Sequence, residues 1–323
     1  MENPYLIPLI LGGILLFLLL AYFLGAFFAF RFAFLRGKKK GRDLPLYEND
    51  QLRPFHKMRM DAMDYANTTP YETVSIRARD GIRLAARLYD VEDAVGTIIL
   101  IHGYRSFGEC DFGCILPYYR DTRRLRLLLV DQRASGDSEG KYITFGTLER
   151  YDAVDWAHYI EDRFGSQPIL LDGISMGGAT VLLAAAEPLP SSVVGILADC
   201  AYSSPEAILR TVGARMKLPV GLILPGVRLL CRVLGHFDPI PVSIPEGLAK
   251  CKLPILMIHG TADGFVPFEM GVENSRARAD IRFVAIEGAD HGMSYLIDPD
   301  TVLFELDTFF DRYLPSPTPT TER

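Results

Sequence analysis

The sequence predicts an α/β protein, a mostly parallel and doubly wound sheet behind one membrane-spanning helix. Three observations predict it. Short, continuous apolar strands alternate with helical patterns through most of the chain; one of these strands passes through a Gly-x-Ser-x-Gly turn straight into a helix; and a long uncharged run stands near the start. Composition agrees, because 323 residues with 49% hydrophobic and 23% charged side chains have ample material for a core, which excludes a disordered polymer or a disulfide-held miniprotein. With 40 acidic against 34 basic side chains the chain also lacks the basic footprint of a nucleic-acid binder.

In chain order, Tyr5 to Phe30 comprises 26 residues without a charge. As a helix that is roughly 39 Å, enough to cross a hydrocarbon core of about 30 Å with tilt. The run is too long for a signal-peptide core and no basic segment precedes it, so a retained span is preferred over a cleaved signal or a buried core helix. Only Glu2 precedes the run, whereas Arg31, Arg36, Lys38, Lys39, Lys40 and Arg42 follow it. The positive-inside rule then puts everything after residue 42 in the cytoplasm, with the basic cluster beside anionic lipid headgroups. Residues 1–42 are thus expected to be an anchor. Five cysteines, an odd number without a repeating framework, suit a reducing compartment. Cys110 and Cys114 have no second Cys or His pair at ligand spacing, so no metal is expected.

Residues 43–70 are polar and weakly periodic and read as a juxtamembrane connector that packs in part against the body. The body, 71–314, opens with strands 73–78 and 84–89, a hairpin around Asp80-Gly81. Strands 97–101 and 127–130 follow, then a helix over 148–164 closed by Gly165. Further strands at 169–171, 193–198, 255–258 and 282–286 interleave with helices at 176–186, 268–279 and 300–313. Buried strands alternating with helices give a parallel sheet covered on both faces. The stretch 203–247 is too long for a connection and is expected to be an inserted cap, two short helices covering a pocket. Its apolar middle is broken by Pro225 and punctuated by Arg228 and Arg232, which argues against a second membrane span. Residues 315–323, rich in Pro and Thr, read as a disordered tail.

The chemistry begins at Gly173-Ile174-Ser175-Met176-Gly177-Gly178. A serine hydroxyl on a tight strand-to-helix turn is exposed for attack, and small residues two positions either side, Gly173 and Gly177, let strand and helix approach. Such a serine is a weak nucleophile until an imidazole takes its proton, and the imidazole needs a carboxylate to fix its tautomer. His291, in Gly288-Ala289-Asp290-His291-Gly292, and Asp263, in His259-Gly260-Thr261-Ala262-Asp263, both follow apolar strands. All three groups then project from the carboxyl ends of parallel strands, where open α/β sheets place their ligands. The backbone N–H of Met176, just after the nucleophile, is one expected oxyanion donor.

Five segments in order carry a resemblance over residues 71–314: His102-Gly103-Tyr104, Asp131-Gln132-Arg133-Ala134-Ser135-Gly136-Asp137-Ser138, Gly173 to Gly178, His259 to Pro267 and Gly288 to His291. Together they resemble the α/β-hydrolase superfamily, in particular its capped serine-aminopeptidase-like and prolyl-oligopeptidase-like branches. Ser135 departs from the pattern, since many relatives carry His there. The resemblance implies that the second oxyanion donor is the N–H of Tyr104. It also favours Asp263 over Asp199, which likewise follows an apolar strand, as the partner of His291. His102 is read as structural, Asp290 as a loop residue, and Asp131 with Arg133 as a turn. His56, His158, His236 and His259 show no partner pattern and are assigned to packing or the surface. Arg105, beside the oxyanion loop, either meets an acidic substrate group or is paired within the structure.

The expectation is therefore a membrane-anchored serine hydrolase needing no cofactor. The apolar cap and the nearness of lipid favour a carboxylic ester, small or lipid-like, as substrate, with membrane lipids as the other partner. A serine peptidase, an acyltransferase and a non-catalytic membrane scaffold are the alternatives.

Overall fold

The computed structural model describes residues 5–37 and 50–315. Lys38 to Lys40 and Arg42 of the basic cluster, the first part of the expected connector and the tail beyond Pro315 lie outside the described residues. The opening helix α1 (Leu6–Phe34) has one charged residue among its 29, Arg31 in the last turn, and divides in two. From Ile7 to Ala21 every side chain is exposed; beyond, Ala26, Phe30 and Phe34 recur every four residues and are fully buried. That recurrence is one face of a helix. Next comes α2 (His56–Thr68), in the segment expected to be a connector, where the buried stripe is Arg59, Met63 and Ala66. An arginine standing in the stripe disguises the helical period.

The hairpin of β1 (Glu72–Arg77) and β2 (Arg83–Tyr89) turns through Gly81 at a φ of +86°, a conformation glycine adopts without steric cost. The chain then lays down β3 (Gly96–Ile101), α3 (Gly108–Phe112), β4 (Leu125–Asp131), α4 (Glu149–Phe164), β5 (Ile169–Ile174), α5 (Met176–Ala184) and β6 (Val193–Asp199). The inserted helices α6 (Pro205–Arg215), α7 (Val220–Leu230) and α8 (Ile244–Leu248) precede β7 (Ile255–Gly260), α9 (Phe268–Ser275), β8 (Arg282–Ile286), α10 (Ser294–Ile297) and α11 (Pro299–Tyr313). The eight strands are ordered β1-β2-β4-β3-β5-β6-β7-β8. β2 is antiparallel to β1 and β4, and every later pairing is parallel.

Two cores sandwich the sheet. One, on the α4 and α5 face, takes in Trp156, Leu182 and the second half of α1, together with Val227, Cys231 and Phe237 of the insertion. The other, beneath α2, α3 and α11, holds Phe112, Leu116, Tyr119, Leu256, Leu306 and Phe310. The insertion is thus committed to α1 and to the first face. Phe34 packs its ring against both Phe145 and Phe237, with centroids 5.2 and 5.5 Å away. A Cβ placed on Gly226 of α7 would lie 2.8 Å from the Cβ of Ala26 and 2.9 Å from the hydroxyl of Tyr22, so the two helices meet at small residues.

Candidate active site

Ser175 stands between β5 and α5 with φ +58° and ψ −115°, outside the regions open to most side chains. Its neighbours make the turn possible: a Cβ on Gly173 would collide with the Gly177 carbonyl, and one on Gly177 with the carbonyl of Ile101. The strain holds the hydroxyl at the strand's carboxyl end, where His291 meets it. Ser175 Oγ lies 2.9 Å from His291 Nε2, and His291 Nδ1 lies 2.8 Å from Asp263 Oδ2. Because the carboxylate faces Nδ1, that nitrogen carries the proton and Nε2 is left as the acceptor for the serine hydroxyl.

Asp263 is placed by the loop after β7. Its Oδ1 accepts the amides of Phe265 and Val266, each at 2.7 Å. Burial alone would raise its pKa, but hydrogen bonds from His259 and His291 and from the Phe265 amide hold the carboxyl below the usual carboxylate range. His259 is the partner that the sequence pattern did not show. It is fully buried on β7, and its Nε2 sits 3.3 Å from Asp263 Oδ2 and 3.1 Å from the Val266 carbonyl. Its position four residues before Asp263, across the strand-end turn, is the only sequence signal it leaves. Asp199 is held elsewhere: its carboxylate accepts the Ser294 hydroxyl at 2.9 Å, and its backbone carbonyl accepts the Ser175 amide at 2.9 Å. Asp290 ties two loops together by accepting the amides of Gly264 and His291.

Among the described residues, no backbone acceptor takes the amide of Tyr104 or of Met176. Met176 is the first residue of α5, where helix geometry leaves the N–H free. Tyr104 is anchored through its side chain: the ring stacks on Phe145 at 5.1 Å and the hydroxyl donates to the Ala33 carbonyl at 2.8 Å. Burial pushes the Tyr104 phenol up to about 12, so it stays a donor at neutral pH. Arg105 gives its guanidinium to α1 as well, donating to Phe32 O at 2.6 Å and Leu35 O at 3.2 Å, and so caps the carbonyl end of that helix. Of its two expected roles, the structure assigns Arg105 pairing within the fold. His102 is likewise structural, accepting the Gln132 amide on Nε2 at 3.2 Å, and Arg133 is bound to Asp152 and Asp80.

Behind Ser175 opens a cavity of about 350 Å³ with mostly apolar walls. Leu52 and Arg59 come to it from the segment before the sheet, Phe112 and Ile115 from α3 and its exit, and Leu256 and Leu306 from below. No residue of the insertion lines it, which corrects the expectation that the cap covers the pocket. The physical reason is α1: α7 packs against it at Gly226 instead of reaching over the pocket. Two carboxyls in the cavity wall are pushed up by burial, Asp172 to about 7 and Asp199 to about 6. Asp172 accepts the Tyr119 hydroxyl at 2.9 Å. Ligand atoms of Cys200, Asp263 and His291 lie within 4.8 Å of one another. That cluster is a poor metal site, because the imidazole is committed to Asp263 and Ser175 and burial raises the Cys200 thiol well above its ordinary value.

The strand order, the elbow and this site define an α/β-hydrolase fold, and comparison with known proteins agrees. The profile of the alpha/beta hydrolase fold family matches residues 96–224. The Pyrococcus furiosus esterase Pf2001 superposes with a TM-score of 0.61 over 77% of this chain and 93% of its own, at 20% identity. Mouse alpha/beta hydrolase domain-containing protein 10 does so with 0.54 over 75% and 99%, at 19% identity. In sequence, the chain is 24% identical over 222 residues to the uncharacterized protein YqkD of Bacillus subtilis, covering 68% of this chain and 72% of that one. It is 27% identical over 214 residues to YfhR of Salmonella typhi, covering 61% and 66%. These matches show that the chain has the α/β-hydrolase fold.

Proposed function

We propose that this protein is a membrane-anchored serine hydrolase that cleaves carboxylic esters through Ser175, His291 and Asp263. The observation that carries the reading is the unbroken hydrogen-bonded chain from Ser175 Oγ through His291 to Asp263, set at an apolar cavity of about 350 Å³. In this reading Ser175 Oγ attacks the ester carbonyl while His291 Nε2 takes its proton. The carbonyl oxygen gains the charge and faces the amides of Met176 and Tyr104. The C–O bond to the alcohol breaks as His291 returns the proton to the leaving oxygen. Water, deprotonated by the same imidazole, then releases the acid from Ser175. Asp263 stays ionised throughout and stabilises the imidazolium. The apolar walls favour an acyl chain over a peptide, and the exposed half of α1 supplies the membrane anchor, with the domain on the cytoplasmic side.

Turnover of p-nitrophenyl acyl esters of graded length, beside aminoacyl p-nitroanilides, tests the activity in wild type and Ser175→Ala. The expected result is serine-dependent ester turnover with little anilide turnover. Preference for anilides would move the assignment to a peptidase. For topology, protease added to intact cells is expected to leave the domain uncut, and its cleavage without lysis would reverse the orientation.

A further inference from the structure

We propose that the inserted cap is a membrane-embedded surface, with α7 lying in the interfacial layer of the same bilayer that α1 crosses. The proposal rests on the anchor reading and goes beyond it, since a single span requires nothing of the catalytic domain. Three observations carry it.

The first is a length. A hydrocarbon core of about 30 Å takes about 20 helical residues. From Tyr5 to Ala21 the run stands clear of the domain, a stretch of about 25 Å. The core therefore reaches about three residues further, to the level of Leu24, between Tyr22 and Ala26, the two residues that Gly226 of α7 meets on α1. The second is the outward face of α1 at that level. Phe23, Leu24, Phe27 and Phe28 remain exposed, and the first charged residue on the helix is Arg31. An apolar solvent therefore surrounds α1 past the point of contact.

The third is the outer surface of the cap. Leu222 is 63% exposed, Val233 59% and Leu229 47%, with Met216, Leu218 and Leu234 beside them. Six large apolar side chains exposed within nineteen residues form a patch that water does not favour. Its continuity with α1 commits it to lipid rather than to another protein. Arg228 Nη2 and Arg232 Nε bond to Asp238 at 2.9 and 2.7 Å, and Lys217 stands exposed between Met216 and Leu218; such long basic side chains lay their stems on apolar surface while the charge stays in water.

Embedding the cap also sets the height of the active site. Tyr104 and Arg105 bond to the carbonyls of Ala33, Phe32 and Leu35, about 10 Å along α1 beyond Ala26. The oxyanion loop then stands in the headgroup layer, within reach of an ester carried by a lipid of that bilayer.

The test uses the full chain in phosphatidylcholine nanodiscs with or without acyl-chain bromines, which quench tryptophan by contact. The chain has one tryptophan, Trp156, fully buried in α4, so wild type supplies the background. Leu222→Trp reports on the cap, Phe17→Trp on the span, and Phe304→Trp on the exposed far face of the domain. Quenching of about half of the added Leu222→Trp emission is expected, as for side chains buried about 5–10 Å into the interface. Phe17→Trp should be quenched more and Phe304→Trp not at all. Quenching of Phe17→Trp with Leu222→Trp behaving like Phe304→Trp overturns the embedded cap and leaves the anchor standing. Absence of quenching at both positions overturns the anchor reading, and the cap with it.

Discussion

Both faces of the sheet are apolar and put that character to different use. On the α4 and α5 face, the insertion and the second half of α1 pack against one another, and neither lines the cavity at Ser175. On the α3 and α11 face, the apolar side chains stand apart and enclose the space into which Ser175 opens. Apolar content alone therefore does not mark a substrate pocket. What separates the faces is whether another element of the chain arrives to cover them: α1 does so on the first, whereas on the second the segment before the sheet contributes Leu52 and, from α2, Arg59 as wall rather than filling.

Four expected outcomes sharpen or break that contrast. The largest concerns the site both faces support: Asp263→Asn keeps the shape but favours the wrong imidazole tautomer and should lower kcat by about 10⁴-fold. His259→Gln, which removes only the outer neighbour of that carboxylate, should cost far less in the same assay. Next, Ile115→Trp fills the cavity and should lower kcat/KM for long acyl esters by about 10- to 100-fold, with a smaller loss for acetate. Leu222→Glu with Leu229→Glu, on the cap, should leave turnover of a soluble short-chain ester unchanged. Equal effects of the two changes on soluble esters would erase the distinction between the faces.

The third outcome concerns the grip of the oxyanion loop on α1. Arg105→Gln removes a charged donor from the carbonyls of Phe32 and Leu35, and loosening the Tyr104 amide should lower kcat by about 10-fold with KM unchanged. A rise in KM alone would instead point to substrate contact. The smallest is a pH effect on stability. Burial raises the Asp172 carboxyl from 3.8 to about 7. Between those values the folded chain holds a proton that the unfolded chain has lost, so this group's contribution falls as pH rises through the window. The Tm of Asp172→Asn should therefore fall a few degrees less than that of wild type between pH 5 and 8, by differential scanning fluorimetry. Asp263 has the opposite sign. Its depressed pKa contributes stability that is full above about pH 5 and lost progressively as the pH falls below that.

Much of the architecture was legible because strand and helix periods are local. The hairpin around Gly81, the run of buried strands and the helix after Ser175 follow from side chains a few positions apart. The structure brings Ser175, Asp263 and His291 into hydrogen-bond contact; the strand-end motifs pointed to the serine and the histidine, and the family resemblance was needed to prefer Asp263 over Asp199, which fits the same chain order. What stayed hidden depended on contacts between distant segments. α2 carries Arg59 in its buried stripe and so reads as polar. His259 needed the loop of Asp263 folded back on β7. The cap looked like a lid because its apolar residues had no visible partner, and that partner, the stripe of Ala26, Phe30 and Phe34, lay some two hundred residues earlier inside a helix that is apolar on every side up to Arg31. A helix without a polar face shows no preferred side in its sequence.

The central claim, that Ser175 is an activated nucleophile, is tested most directly by a fluorophosphonate, which reacts covalently with such serines. Folded full-length protein in detergent would be treated with the probe and the modified peptide located by mass spectrometry, beside Ser175→Ala and His291→Ala. The account predicts one adduct on Ser175 in wild type, none on that peptide in Ser175→Ala and strongly slowed labelling in His291→Ala. Folded wild type that stays unlabelled, or an adduct on another residue that persists in Ser175→Ala, would contradict it.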